Sequence, residues 1–451
     1  MFPIKHFACV GKPTGVHAAQ LRNSSCKVLP MLSTLRLVSS LLLGIAFLMV
    51  GAGGLSTILA FRMGVAEHPS TIVGLVTSMY YIGVVLGTSP CHRLISNVGH
   101  IRAFAALGSL MSAATLAHAL TPDPWVWGAL RFVVGFSTVG MFMCTESWLN
   151  EKSSNEIRGQ VFSLYQIVLY LGQGAGQFLI NIPDQFGAML FILTSILMSL
   201  AILPVAMTRV SAPELPKPVR FRLARLWGFS PTGMTASLAS GIIMGAFYGL
   251  GALFAQRVGL TTSETAQFMG AVIIGGLILQ WPIGKLSDTF DRRRVIVGVS
   301  FATILVCIAI MSKGVNNGSG LMALGALFGG LSFTLYPLAV AYMNDYVQAD
   351  DIVPASGGLM MAYGIGAALG PTGGALMMDF MGPPGLFIFI GIIAVFLLIF
   401  ILWRITQRAS IPNDEQGDYQ AMQRTSQVVY EFYPETDNSQ ETDDLEDDTR
   451  C

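Results

Sequence analysis

The sequence predicts an all-α membrane protein, with twelve transmembrane helices arranged as two pseudo-symmetric six-helix bundles. Three observations carry the prediction. The 451 residues are 53% hydrophobic and only 12% charged, whereas a soluble domain carries about 25% charge. The apolar residues are gathered into continuous runs, such as 37–61 and 386–403, and about 18 or more apolar residues in a row read as a spanning helix. Landmarks of the first half recur in the second at a near-constant offset. A transmembrane barrel would instead need alternating segments of about ten residues, and helices are the other backbone that satisfies its own polar groups in lipid.

In chain order the expected spans are Leu35–Phe61, Thr71–Cys91, Ile101–Leu120, Trp125–Leu149, Gly159–Ile180 and Phe186–Met207, then Gly233–Gln256, Ala266–Ile283, Val295–Met311, Leu321–Asn344, Ala355–Met378 and Leu386–Arg404. Five parts follow: a basic N-terminal arm (1–34), a first bundle (35–208), a linker rich in Pro and Arg (209–232), a second bundle (233–405) and an acidic tail (406–451). The arm holds Lys5, Lys12, Arg22 and Lys27 with no acid and no long apolar run, so it is not a signal peptide by itself. Met31 stands as an alternative start, because MLSTLRL leads directly into the first span.

The repeat rests on three landmarks. Arg62-Met63-Gly64-Val65 is echoed 195 positions on by Arg257-Val258-Gly259-Leu260, residues 96–100 lie 192 positions before residues 288–292, and Gly172-x-x-x-Gly176 lies 194 positions before Gly366-x-x-x-Gly370. Agreement of three separate features to within a few residues implies a duplicated six-helix unit.

Charge sets the expected orientation. Lys and Arg cluster in alternate loops: Arg93 and Arg102; Lys152 and Arg158; Arg209, Lys217, Arg220, Arg222 and Arg225; Lys285 and Arg292–Arg294. The other loops hold only Arg62, Arg257 and Lys313. The positive-inside bias places both termini in the cytoplasm. From Ala409 to Cys451 there are twelve acidic and two basic residues, a net −10, so the rest of a chain with zero formal charge carries +10. The tail composition predicts a disordered, solvated segment.

Several residues stand out inside the spans. Arg131 lies well within the fourth apolar run, where an ionisable group costs about 2.5–3.5 kcal/mol or more and faces a cavity or a partner; the alternative is snorkelling to the outer surface. Glu146, near the cytoplasmic end of the same span, is expected to pair with Arg93 or Arg102, with a proton-carrying carboxylate as the second reading. Gln166, Tyr170, Gln173 and Gln177 are spaced by 4, 3 and 4, which puts them on one helical face. Such a stripe reads as a cavity wall or as hydrogen-bond glue between helices. Tyr336 is a further cavity candidate, and Tyr80, Tyr81, Tyr248, Gln280 and Pro337 are weaker ones. His100 and His118, at helix ends, are expected at the surface. The six cysteines form no CxxC pair and no metal-ligand spacing. No phosphate-binding loop is present, so ATP as an energy source within the chain is not expected. No nucleophile and base set lies in the spans, so neither an enzyme nor a cofactor is expected.

The stretch Gly284–Arg294, GKLSDTFDRRR, lies between two apolar runs and is expected in a tight polar turn. Its pattern Gly-x-Leu-Ser-Asp-x-x-x-Arg-Arg resembles the signature loop of the major facilitator superfamily, the twelve-helix secondary transporters. The strings GHIRAFAALGS, ESWLNEKS and RGQVFSLYQI are similar to the YcaD-like group of bacterial transporters. The resemblance covers about residues 35–405 and implies alternating access around a midplane cavity, with a small organic solute and protons as partners, a lipid bilayer as host, no nucleic acid, and a monomer. It implies that Asp288, with Arg292, faces a helix N-terminus across the seam, near Arg158-Gly159, and latches the cytoplasmic side. The first half departs from the pattern, with Ser96 in place of the Asp and His92 in place of the first Gly. Arg131 and Gly135 match the fourth-helix motif Arg-x-x-Gln-Gly, with Val134 in place of the Gln; the resemblance implies a role in proton coupling or contact with an anionic substrate. Gly366–Gly374 resembles the GxxxGPxxGG motif of antiporters, but in the eleventh span rather than the fifth, so antiport is not carried over. A transporter-like sensor or scaffold acting through the acidic tail is the alternative.

Overall fold

The computed structural model describes residues 15–153, 155–184, 187–207, 227–228, 230–313, 318–347 and 352–407, with Gln416, Gly417, Tyr419 and residues 424–426 of the tail. Residues 1–14 of the expected arm, most of the expected linker and most of the acidic tail lie outside the described residues. Among the described residues twelve long helices carry the fold: α1 (Gly15–Val65), α2 (Ser70–Val98), α3 (His100–Ala117), α4 (Pro124–Lys152), α5 (Asn155–Gln177), α6 (Met189–Ala206, broken at Ala201), α7 (Pro231–Arg257), α8 (Thr262–Thr289), α9 (Arg292–Lys313), α10 (Gly318–Asn344), α11 (Ile352–Met381) and α12 (Gly385–Gln407). Ten of them are long and apolar enough to cross a membrane by themselves; α5, which carries the glutamines, and α11 are not among the ten.

Local chemistry sets the helix ends. Asp123 caps α4 by accepting the Trp125 and Val126 amides at 2.7 and 3.2 Å, with Pro124 at the first helical position. Thr261 and Glu264 cap each other at the start of α8. Gly99, at φ +85°, separates α2 from α3, a conformation costly for any residue with a Cβ. The helices outrun the expected spans because a helix does not stop at the edge of the hydrocarbon. α1 begins at Gly15 rather than Leu35. α8 runs on to Thr289 and α9 starts at Arg292, so the signature stretch is not a free loop. Only Phe290 and Asp291 turn the chain, and Asp291 caps α9 by accepting the Arg293 amide at 2.9 Å.

The duplication is visible in the packing. In the first half α1 packs on α5, α2 on α4, and α3 on α4 and α6; in the second α7 packs on α11, α8 on α10, and α9 on α10 and α12. The closest crossings repeat as well. A Cβ on Gly83 would stand 2.2 Å from the Phe132 carbonyl and one on Gly135 2.0 Å from the Tyr80 carbonyl; in the second half, Gly275 meets Ala326 and Gly329 meets Val272, both at 1.9 Å. Small residues at such crossings let helices approach in lipid, where no hydrophobic force drives them together. A Gly329→Ala chain is therefore expected to melt earlier by the equivalent of about 1–3 kcal/mol, since α8 and α10 must part to admit a methyl group. Gly298, with open space around it, is the control: Gly298→Ala is expected to leave the melting temperature of the purified protein unchanged or higher.

The two halves meet along α2 with α11, α5 with α8, and α1 and α2 with α7. His100 and His118, expected at the surface, are both buried. His118 stacks on Phe191 and its Nδ1 bonds the Ala114 carbonyl at 2.8 Å, while His100 packs against Trp148. Helix ends inside a bundle are wrapped by neighbouring helices, which the sequence position alone does not reveal.

Candidate functional site

A cavity of about 190 Å³ lies on the seam between the halves. From the first half it is walled by Ser56 and Thr57 of α1, Tyr80 and Tyr81 of α2, and Tyr170, Gln173 and Gln177 of α5. The second half supplies Tyr248 of α7, Phe333 of α10 and Tyr363 of α11. Arg424 and Thr425 of the tail also line it.

The stripe of α5 divides its work. Gln166 donates to Gln280 of α8 at 3.0 Å, and the Tyr170 hydroxyl donates to the same oxygen at 3.3 Å. Tyr248 donates to Gln173 at 3.3 Å. These bonds cross the seam. Gln177 instead stays within its own half: it donates to the Gln173 carbonyl at 2.8 Å and the Gly53 carbonyl at 3.3 Å, and accepts from Thr57. Tyr170, Gln173 and Gln177 thus line the cavity, while Gln166 only bonds across the seam. Tyr336 is fully buried against Tyr363 at a ring distance of 5.1 Å, one layer behind the cavity surface.

Arg131 is 2% exposed and does not snorkel. Its guanidinium sits 4.5 Å above the Tyr80 ring and donates to the Ser56 hydroxyl at 3.1 Å. Both partners are cavity wall residues, so Arg131 stands directly behind the wall and ties α1, α2 and α4 together.

One rim of the seam is sealed. Asp379, at the end of α11, accepts the backbone amides of Ser70 and Thr71 at 2.8 and 2.9 Å and the Thr71 hydroxyl. These amides are the free N–H groups of the α2 N-terminus, where an anion is favoured by the helix dipole. Arg257 reinforces the seal by donating to the His68 carbonyl at 2.8 Å and to the Ser70 hydroxyl. Deeper in, Ser78 and Thr372 share a 3.0 Å hydrogen bond across the seam. A carboxylate on a helix N-terminus across the seam, the device expected of Asp288, is present in this structure, but Asp379 makes it at the opposite rim.

At the rim where α4, α8 and α10 end, the tail joins the two halves. Asp288 does not reach Arg158. It lies 3.9 Å from Arg292, within its own half, and accepts the Tyr419 amide at 2.8 Å. Arg292 is 2.8 Å from Asp345 and donates to the Gly417 carbonyl. Arg158 keeps a buried Nε without a hydrogen bond among the described residues. Glu146 does not pair with Arg93 or Arg102, both of which are exposed, while Glu146 is fully buried. It accepts from Tyr165 at 2.8 Å and from the hydroxyls of Thr425 and Ser426. The sequence reading missed Asp345, Asp379, Phe333, Tyr363 and the tail residues. The one available signal was Arg424, one of two cations in the acidic tail.

Two halves of matching packing around a seam cavity are the architecture of a known transporter class, and the sequence match is direct: residues 41–318 and 269–430 match the Major Facilitator Superfamily. The chain belongs to the major facilitator superfamily. Among its relatives are an uncharacterized MFS-type transporter of Enterobacter sp. (strain 638), 31% identical and spanning 81% of this chain and 95% of that one, and the uncharacterized MFS-type transporter YcaD of Escherichia fergusonii, 29% identical with the same coverage. The fold is shared with the crystal structure of the nucleoside transporter NupG (TM-score 0.65, 13% identity, 83% of this chain and 100% of that one). It is also shared with a bacterial homolog to the human lysosomal transporter Spinster in an inward-facing and occupied conformation (TM-score 0.66, 14% identity, 84% and 97%). As a member of the superfamily, the chain is a multi-pass membrane transporter.

Proposed function

We propose that this protein moves a small organic solute across the cell (inner) membrane by alternating access, driven by protons, with both termini in the cytoplasm. The observation that carries this reading is the cavity itself. Its polar and aromatic walls come from both halves, and one end of the seam is held shut by bonds between them. With the termini inside, the sealed rim is the outer one and the tail rim the inner one, which supports reading this state as closed to the outside. A rocking of the halves would exchange the two rims.

Glu146 is the candidate proton carrier, as a fully buried carboxylate at the inner end of α4 beside Tyr165. Arg131 and the α5 stripe shape the solute site, and Asp288 with Arg292 belongs to the inner gate. The test begins with a thermal-shift screen of organic solutes on the purified protein, followed by uptake of the stabilising compounds into proteoliposomes. A compound that stabilises but is never taken up would defeat the transporter reading. Glu146→Gln is expected to keep exchange of solute across the membrane while losing at least tenfold of the accumulation driven by a pH gradient. Loss of both together would remove Glu146 from the proton path.

The seating of the tail in the cavity gives some weight to a sensor that signals through the tail. Deleting residues 409–451 separates the readings, because a transporter keeps solute uptake without them and a sensor loses its output.

A further inference from the structure

The tail places a cation in the cavity. The Arg424 guanidinium lies 5.0 Å from the centre of the Phe333 ring and 5.4 Å from that of Tyr363. It donates to the Tyr363 hydroxyl at 3.3 Å and the Phe333 carbonyl at 3.5 Å. Ring faces attract cations, and more strongly where water is excluded. The next two residues reach the other half, Thr425 and Ser426 both donating to Glu146. Upstream, the Gly417 amide donates to Asp345 at 3.2 Å and the Tyr419 amide to Asp288. The Tyr419 ring occupies the room left by Gly284, where a Cβ would stand 2.3 Å from it. Gly284, Asp288 and Arg292, the very residues of the signature pattern, thus hold the tail instead of the opposite half. What remains of the cavity, about 190 Å³, is below the roughly 300–1,000 Å³ of a small-molecule site, as a partly filled cavity would be.

We propose that the segment around Arg424 is an internal, displaceable ligand of the cavity, and that the seat of its guanidinium between Phe333 and Tyr363 is a subsite for a cationic group. The solute class that fits is a guanidinium or alkylammonium borne on a small organic frame. The electron-rich faces of Phe333 and Tyr363 disfavour an anion at that seat, and Arg131 stands behind the wall. The inference deepens the transporter reading and rests on it for the word solute; the occupancy of the seat does not.

The test uses the full-length protein in nanodiscs, its six native cysteines replaced by serine, with Ser426→Cys as a reporter for a membrane-impermeant maleimide. Ser426 is fully buried in the seated tail, so the reporter is expected to be protected. Arg424→Ala is expected to speed its labelling at least tenfold, while Arg424→Lys, which keeps the cation but not the forked donors, falls clearly between the alanine chain and the parent. Phenylguanidinium chloride is expected to speed labelling of the parent in a saturable way. Sodium benzoate at equal ionic strength is expected to leave it unchanged. By calorimetry, phenylguanidinium is expected to bind the Arg424→Ala chain at least tenfold more tightly than the parent, because the internal competitor is gone. Full labelling of the parent, or no change on Arg424→Ala, overturns the seated tail. Equal action of benzoate, or a lysine chain that behaves as the alanine chain, overturns the cation subsite. These readouts report occupancy rather than flux, so their failure leaves solute uptake standing, and a failure of uptake leaves them interpretable.

Discussion

Arg131→Ala is expected to cost at least tenfold in solute uptake in proteoliposomes, with the protein still inserted in the membrane. The guanidinium is buried in α4 and meets no carboxylate among the described residues; it donates to the Ser56 hydroxyl and lies over the face of Tyr80. An ionised group at that depth costs about 2.5–3.5 kcal/mol or more, so removing it relieves strain as well as contacts, and the net effect on folding is expected to be small. The effect on the cavity is not small. Ser56 loses its donor, Tyr80 loses the cation above its ring, and the wall shared by α1, α2 and α4 loses its tie. A lysine cannot replace this arrangement, because a compact ammonium cannot both stack flat on a ring and fork to a hydroxyl. Arg131→Lys is therefore expected to fall well short of the parent. The measurement is initial uptake rate, normalised to protein that melts cooperatively. Uptake at the parental rate in the alanine chain would reduce Arg131 to a packing residue.

How much of this was legible beforehand varies with the kind of interaction. The helices were, because hydrocarbon imposes long apolar runs on any chain that crosses it. The duplication was too, and the paired glycine crossings at Gly83 with Gly135 and Gly275 with Gly329 fall at the same offset as the landmarks read from the sequence. The α5 stripe was legible as a face because helical spacing dictates which residues align. Its division was not, since Gln166 and Tyr170 are drawn to Gln280 only by the way two separate bundles lie against each other. Latches are harder still. Asp288 and Asp379 both stand near helix ends at the seam, and which carboxylate finds a helix N-terminus depends on which rim is closed. The tail was the hardest case. Its acidic composition argues for a solvated chain, and a composition average conceals a short segment with one arginine, two hydroxyls and a tyrosine whose partners lie on four helices.

Asp379→Ala is expected to shift the protein away from the sealed state, and the two rims should respond together. The carboxylate accepts two backbone amides and a hydroxyl at the start of α2, and hydrogen bonds to a charged group are worth about 1.5–3 kcal/mol each at the upper end. A loss of only about 2 kcal/mol from one side of a two-state balance changes the population ratio roughly thirtyfold, at tenfold per 1.4 kcal/mol. Ser78, just inside the seal and bonded to Thr372, is a suitable reporter. A Ser78→Cys chain should react slowly with an impermeant maleimide added from the sealed side, and at least tenfold faster when Asp379 is alanine. Asp379→Asn, which keeps one acceptor oxygen, should fall between. If the halves rock as rigid bodies, opening this rim narrows the other, where the tail is seated between Glu146 and the second half. Ser426→Cys should then become more reactive in the same Asp379→Ala chain, although the two positions lie at opposite ends of the seam and share no contact. Faster labelling at Ser78 alone would show local fraying of the α2 N-terminus, and the rocking of the halves would have to be abandoned as the link between the rims.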